Sequence, residues 1–401
     1  MALLSAFAVC PSGLESCLAD ELRSLEGLTE IQTGKAGCWF RADATAIARA
    51  NLWCRVPTRI LVLLDQVRLR SADDLYAAAK RLSWETYLNP AQTIRIDVNQ
   101  GRPAPFDLAL PYAALKVKDG LCDRFREQTG ERPSVDTHDP DIRLWVYIDG
   151  DKATLSIDTS GEPLFKRGWR QAKGEAPLRE NLAAALVMMT GLGQPSGFSP
   201  NLILDPMAGS GTLLIEAASL LAGLAPGFHP VHPRAFACER FDRRSAFGRV
   251  DFTGLRAECA AAWGRAAQLS LPALVGRDLD GRLVRVAADN ASRALPPSLS
   301  RQIEFEQADF FEAPAPATST PALLLTNLPY GKRVQMSEED PRRLSEVLKR
   351  HYAGYQAWLL TDNLKLDSAI RLKAGRRTPV MNGDIECRWM RFDMVAGSAR
   401  T

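Results

Sequence analysis

The sequence predicts an α/β protein: a mostly parallel, doubly wound sheet in the C-terminal half, preceded by an α+β region. Three observations carry this. From Ala176 onward, apolar runs of strand length alternate with segments of helical periodicity. One of those runs, N-L-I-L-D-P-M-A-G-S-G-T-L-L-I-E-A-A over Asn201–Ala218, breaks into a glycine-rich turn that opens a helix. The first 160 residues instead mix short helices with hairpin signals and carry no glycine fingerprint.

The N-terminal elements read in order. Residues 6–10 form a strand, Pro11-Ser12-Gly13 turns the chain, and Leu14, Leu18, Leu22 and Leu25 share one helix face that ends before Gly27. Residues 36–41 are a strand, 44–51 a helix, 59–67 a strand, 72–82 a helix, 93–99 a strand and 112–127 a helix. Strands 143–148 and 154–158 flank D-G-D, a hairpin signal. A junction rich in Gly, Pro and basic residues follows over 161–180. Beyond it, strands are predicted at 201–205, 273–277, 303–307, 322–326, 355–361 and 385–393. Helices are predicted at 211–223, 251–269, 280–293 and 338–351.

Composition narrows the class. With 401 residues, 46% hydrophobic and 24% charged, the chain is sized for two or three globular domains. No apolar run approaches the ~20 residues of a membrane span. Met1–Pro11 is apolar but lacks a basic leading segment, so it reads as a strand and not a signal peptide. The eight cysteines are scattered with no Cys-x-x-Cys pair, which fits a reducing cytoplasm. The four histidines form no ligand set, so no metal is expected. Residues 1–160 hold 19 Lys+Arg against 22 Asp+Glu, so any nucleic-acid face must be a local patch. Candidate patches are Lys166, Arg167, Arg170 and Lys173, and Arg371, Lys373, Arg376 and Arg377.

Two motifs carry the chemistry. Asp205 ends a strand, Pro206 and Ala208 lead into the turn, and Gly209 and Gly211 let a ligand lie against bare backbone before a helix opens at Thr212. D-P-M-A-G-S-G is neither the dinucleotide pattern nor a phosphate loop, and it suits a nucleoside cofactor without pyrophosphate, such as S-adenosylmethionine. Asp278 follows a later strand, where a carboxylate can accept from both ribose hydroxyls; Asp280 reads as the next N-cap, and the two could exchange roles. Asp309 could accept from the adenine amine or cap a helix. The second motif is L-L-L-T-N-L-P-Y-G-K-R, Leu323–Arg333. The Asn327 side-chain oxygen and the Leu328 carbonyl can accept both hydrogens of an exocyclic amine and aim its lone pair at a methyl group. Pro329 stiffens the turn, Tyr330 can stack on a base, and Lys332 and Arg333 can meet the adjoining phosphate.

The chain resembles the THUMP-domain class I S-adenosylmethionine methyltransferases, and within them the bacterial 23S ribosomal RNA guanine-N2 methyltransferase group. The resemblance rests on N-L-W-C-R-V-P-T-R-I-L at 51–61, D-T-S-G-E-P-L-F-K-R-G-W-R at 158–170 and E-A-P-L-R-E-N-L at 175–182, with both motifs above. It implies a ferredoxin-like part over 1–60, a THUMP RNA-binding domain over 61–160, a linker over 161–175 and a Rossmann-like methyltransferase domain over 176–396. It also implies that the segment holding Pro177 and Glu180 borders the cofactor. Two positions depart from the family pattern: its cysteine is Ala208 here, and the first proline of N-P-P-Y is Leu328. Some relatives add a second methyltransferase domain, to which none of the 401 residues corresponds. The expected activity is methylation of a guanine N2 in 23S rRNA. The alternatives are a tRNA guanine-N2 methyltransferase of the same architecture and a non-catalytic RNA-binding or assembly factor.

Overall fold

The computed structural model describes residues 3–170, 178–194, 197–317, 321–329 and 340–395. The chain divides into two compact units. The first comprises Met1–Cys10, Ala19–Leu164 and Pro233–Arg256; the second comprises Pro11–Leu18, Phe165–His232 and Ala257–Thr401.

The first unit is built on one eight-stranded sheet. Its strands are β1 (Leu4–Val9), β2 (Thr29–Gly34), β3 (Gly37–Ala42), β4 (Arg59–Arg68), β5 (Thr93–Gln100), β6 (Ser134–Val135), β7 (Ile142–Asp149) and β8 (Lys152–Asp158). They lie in the order β2-β3-β1-β4-β8-β7-β5-β6. The helices of this part of the sequence are α1 (Glu15–Arg23), α2 (Ala44–Trp53), α3 (Asp73–Arg81) and α4 (Leu110–Thr129). The D-G-D hairpin forms as expected: Asp149 faces Lys152, and Gly150 takes φ +64°. Strand β2 was not foreseen, because T-E-I-Q-T-G is polar and mostly exposed and shows no alternation.

Residues of the motif at 51–61 meet Asp158, Thr159 and Ser160, the start of the motif at 158–170, in the core of this unit. The buried Arg59 guanidinium pairs with the Asp158 carboxylate. The Asn51 amide donates to the Thr159 hydroxyl at 2.9 Å, and its oxygen accepts from the Ser160 hydroxyl at 2.6 Å. Buried Glu21 accepts the amides of Arg55 and Val56 at 2.7 and 3.0 Å, which fixes the turn after α2. These polar groups lie away from water, so each needs its partner. That explains why motif residues so far apart in sequence have these identities.

The second unit holds a seven-stranded sheet. Its strands are β9 (Leu202–Asp205), β10 (Ala273–Asp278), β11 (Ile303–Gln307), β12 (Ala322–Asn327), β13 (Tyr355–Thr361), β14 (Arg376–Asn382) and β15 (Ile385–Asp393). The order is β11-β10-β9-β12-β13-β15-β14. Strands β9 to β13 run parallel, β15 is antiparallel to β13, and β14 is antiparallel to β15 at the edge. The helices are α5 (Glu180–Met188), α6 (Thr212–Leu221), α7 (Phe252–Ala266), α8 (Gly281–Ala294), α9 (Pro297–Ser300), α10 (Asp340–His351) and α11 (Leu366–Ala369). Every residue of β9 and β13 is buried, as expected of central strands with both faces covered. On one face Leu204, Leu324, Leu328 and Leu359 pack with Leu344 and Leu348 of α10. On the other, the Trp389 indole stacks on Trp358 at 5.5 Å and donates to the Leu186 carbonyl of α5.

The six strands predicted for this half are all present. Strand β14 was missed: R-R-T-P-V-M-N carries a proline and two arginines, a composition tolerated at a sheet edge.

Candidate functional site

The parallel sheet brings the predicted acidic and amide residues to one edge. Asp205, Asp278 and Asn327 are the last residues of β9, β10 and β12, and Asp309 lies two residues beyond β11. The strand order reverses at β9, and ligands of open α/β sheets bind at the carboxyl ends of strands flanking such a switch point.

The glycine turn is held from several sides. The Ala208 amide donates to the Arg277 carbonyl at 2.7 Å, and the Gly211 amide to the Ala208 carbonyl at 2.8 Å. Gly209 and Gly211 adopt φ of +54° and +79°, the left-handed region that glycine enters without strain. A Cβ on Gly211 would come within 3.0 Å of Ala287 and 3.1 Å of the Phe305 ring. At Gly209 a Cβ would meet nothing within 4 Å, so the turn presents bare backbone to an open face.

Asp278 bridges this turn to β10. One carboxylate oxygen accepts the Gly209 amide at 2.8 Å and the other the Asp280 amide at 2.9 Å. Each oxygen keeps a second lone pair for a ligand hydroxyl. Asp280 is the N-cap of α8, accepting from the Arg282 amide at 2.8 Å. Leu279, between the two aspartates, is 69% exposed, an apolar surface beside a carboxylate. Asp309 accepts the Phe311 amide at 2.8 Å, a local turn-capping contact. Asp205 is buried beneath the turn, where desolvation pushes its carboxyl up to about 7, opposed by the Thr326 hydroxyl and the Met207 amide.

At the end of β12, the Asn327 side-chain oxygen is buried and has no hydrogen-bond partner among the described residues. An unpaired buried acceptor costs about 1–3 kcal/mol, so its retention at a strand end points to a ligand donor. Leu328 departs from the family proline for a visible reason. Its side chain is 1% exposed in the core, and its amide donates to the Leu360 carbonyl at 3.0 Å. A proline could not make that bond. Pro329 is half-buried. Pro177, Tyr330, Lys173, Lys332 and Arg333 lie outside the described residues.

The junction patch needs correction. Arg167 and Arg170 were expected on an RNA face, but both side chains are buried in ion pairs. Arg167 is 3% exposed against Glu216, and Arg170 is 11% exposed against Glu180. A guanidinium enclosed this way has no free face for a phosphate. Lys166 stays exposed. Glu180 was expected beside the cofactor, and its carboxylate is 7% exposed and taken up by Arg170. Sequence reading also missed Asn290 on α8, fully buried, whose amide donates to the Ser210 carbonyl of the turn at 3.1 Å. Its only sequence signal is a lone polar residue on an otherwise apolar helix face.

Comparison with known proteins agrees with this geometry. Residues 167–391 match the model of the RMKL-like methyltransferase domain. The chain belongs to that family. Residues 70–158 match the THUMP domain, and residues 5–61 the RlmL ferredoxin-like domain. Relatives named ribosomal RNA large subunit methyltransferase K/L include those of Syntrophotalea carbinolica and Methylococcus capsulatus, each 37% identical over 97% of this chain. The chain covers 53% and 51% of their lengths, about half of each. Among solved structures, a predicted N6-adenine-specific DNA methylase from Listeria monocytogenes is 27% identical with a TM-score of 0.81. The match covers 98% of this chain and 97% of that one. A structure described as a methyltransferase complexed with SAH shares the fold at a TM-score of 0.80 and 24% identity, covering 98% of this chain and 99% of that one.

Proposed function

We propose that this chain methylates the exocyclic N2 amine of a guanine in large-subunit ribosomal RNA, with S-adenosylmethionine as methyl donor. The observation that carries the proposal is the buried Asn327 oxygen, which has no partner among the described residues, at the same end of the sheet as the open Gly209 backbone. The residues fit the cofactor: Asp278 has lone pairs for ribose hydroxyls, Leu279 offers an apolar surface to a base, and Gly209 leaves space at the turn. When bound, S-adenosylmethionine supplies an electrophilic methyl group on a sulfonium.

The chain's own task is to present the amine. A guanine N2 lone pair is delocalised into the ring, which makes it a weak nucleophile. The Asn327 oxygen and the Leu328 carbonyl accept the two N–H hydrogens, which favours a pyramidal nitrogen and orients its lone pair. With the donor held there, the oriented nitrogen would take the methyl group as the thioether leaves, and the proton lost from the nitrogen would pass to solvent. A base on structured RNA must leave its stack to reach such a site.

Two facts support RNA over DNA, the substrate class named for the Listeria protein. The chain has a THUMP match, and its rRNA-methyltransferase relatives are more similar to it, at 37% identity against 27%. A tRNA substrate is the second reading within the same chemistry. Asn327→Ala tests the role: transfer should fall at least ~10²-fold while cofactor binding persists. Normal turnover in that variant sinks the assignment.

A further inference from the structure

The segment 165–170 runs beside α6 and grips it at two points one helical turn apart. Arg167 donates to Glu216 through Nε at 3.2 Å, within the body of the helix. Arg170 reaches the helix start, where its Nη2 donates to the Thr212 hydroxyl at 2.8 Å and its Nη1 to the Ser210 hydroxyl at 2.8 Å. The same guanidinium donates to the Glu180 carboxylate at 2.9 Å and the Leu178 carbonyl at 3.1 Å. Its face lies 4.9 Å from the Trp169 ring. One side chain therefore joins the strand-to-helix turn to the segment leading into α5.

That turn needs such a joint. The N-cap of α6 is Gly211, which has no side chain to cap the helix. The two hydroxyls flanking it, on Ser210 and Thr212, lie 3.2 Å apart and both accept from Arg170. Other anchors of the turn come from β10 and α8, through the Arg277 carbonyl, Asp278 and Asn290. Without Arg170, the Ser210 and Thr212 hydroxyls and Glu180 each lose a partner while staying largely shielded from water.

We infer that Arg170 is a positioning residue for methyl-donor binding: it fixes the Gly209–Gly211 turn against the 178–180 segment in the shape that receives the cofactor. The inference rests on the cofactor reading above. Arg167 makes a comparable buried ion pair, but with Glu216 in the body of α6, so it separates a positioning role at the turn from general stability. A lysine at 170 keeps one positive charge, but it lacks the planar fork that reaches four acceptors at once.

The experiment measures S-adenosylmethionine affinity by calorimetry, with melting temperatures, for the full chain and for Arg170→Lys and Arg167→Lys. The wild-type chain should bind. Arg170→Lys should weaken affinity on the order of tenfold, raising KM for the methyl donor with kcat at saturation near wild type. Arg167→Lys should lower the melting temperature and leave affinity within about twofold. Wild-type affinity in a folded Arg170→Lys variant overturns the inference, as does an equal affinity loss in Arg167→Lys. A wild-type chain that binds no S-adenosylmethionine overturns the cofactor reading itself, and this inference with it.

Discussion

Leu328→Pro restores the family's commoner residue, and the structure predicts that the restoration is harmful. Two effects oppose each other. A proline restricts the unfolded chain and stabilises by about 0.4–1 kcal/mol where its geometry fits. Against that, the Leu328 amide donates to the Leu360 carbonyl at 3.0 Å, and proline has no N–H to give. Leaving that carbonyl unpaired costs about 1–3 kcal/mol. The Leu328 side chain, 1% exposed among Leu324, Leu344 and Tyr352, also becomes a smaller ring, at about 1–2 kcal/mol. The net expectation is a destabilisation of about 2–4 kcal/mol. Urea unfolding followed by tryptophan fluorescence measures it, since Trp358 and Trp389 are buried on β13 and β15. An unchanged or raised midpoint with unchanged slope would refute the claim that Leu328 is a packing and ladder residue.

Other outcomes follow from the same geometry. Asp278→Ala should weaken S-adenosylmethionine binding and loosen the Gly209 turn; calorimetry showing unchanged affinity would mean another residue serves the ribose. The buried Asp205 carboxyl keeps its proton to about pH 7, whereas an unfolded aspartate loses it near 4. Between those values the folded state binds more protons, so this group's contribution to stability falls as pH rises. Asp205→Asn should remove that slope, which stability measured from pH 4 to 8 in both proteins will show. In the first unit, Arg59→Met should destabilise by about 3–5 kcal/mol by stranding Asp158, and Arg59→Met with Asp158→Leu should recover much of the loss. Thermal melts of the single and double variants check this.

Much of the second unit was legible because its signals are local. A buried parallel strand is a continuous apolar run, as in Y-Q-A-W-L-L-T of β13, and a left-handed turn needs glycine, as at 209 and 211. Asn327 stood out because the apolar run L-L-L-T ends in an amide, a proline and an aromatic ring, groups suited to a planar amine. The arginines of the junction were misread because a sequence does not show what a charge faces. Arg167 meets Glu216, and Arg170 meets Ser210 and Thr212, all dozens of residues away. Lys166, next to Arg167 in the chain, is exposed. Asn290 was invisible for the same reason, since its partner is the backbone of a distant turn. The placement of 233–256 with the first unit carries no periodicity signal, because much of it is irregular chain and single 3₁₀ turns.

The central claim is methyl transfer to a guanine amine in ribosomal RNA. The most direct measurement is tritium transfer from labelled S-adenosylmethionine to total RNA from cells lacking this protein, with the RNA separated by size and digested to nucleosides. Label is expected in the large ribosomal RNA, recovered as N2-methylguanosine and lost with Asn327→Ala. Label in tRNA would keep the chemistry and move the substrate. No label on any RNA, from protein that still binds the cofactor, would contradict the account.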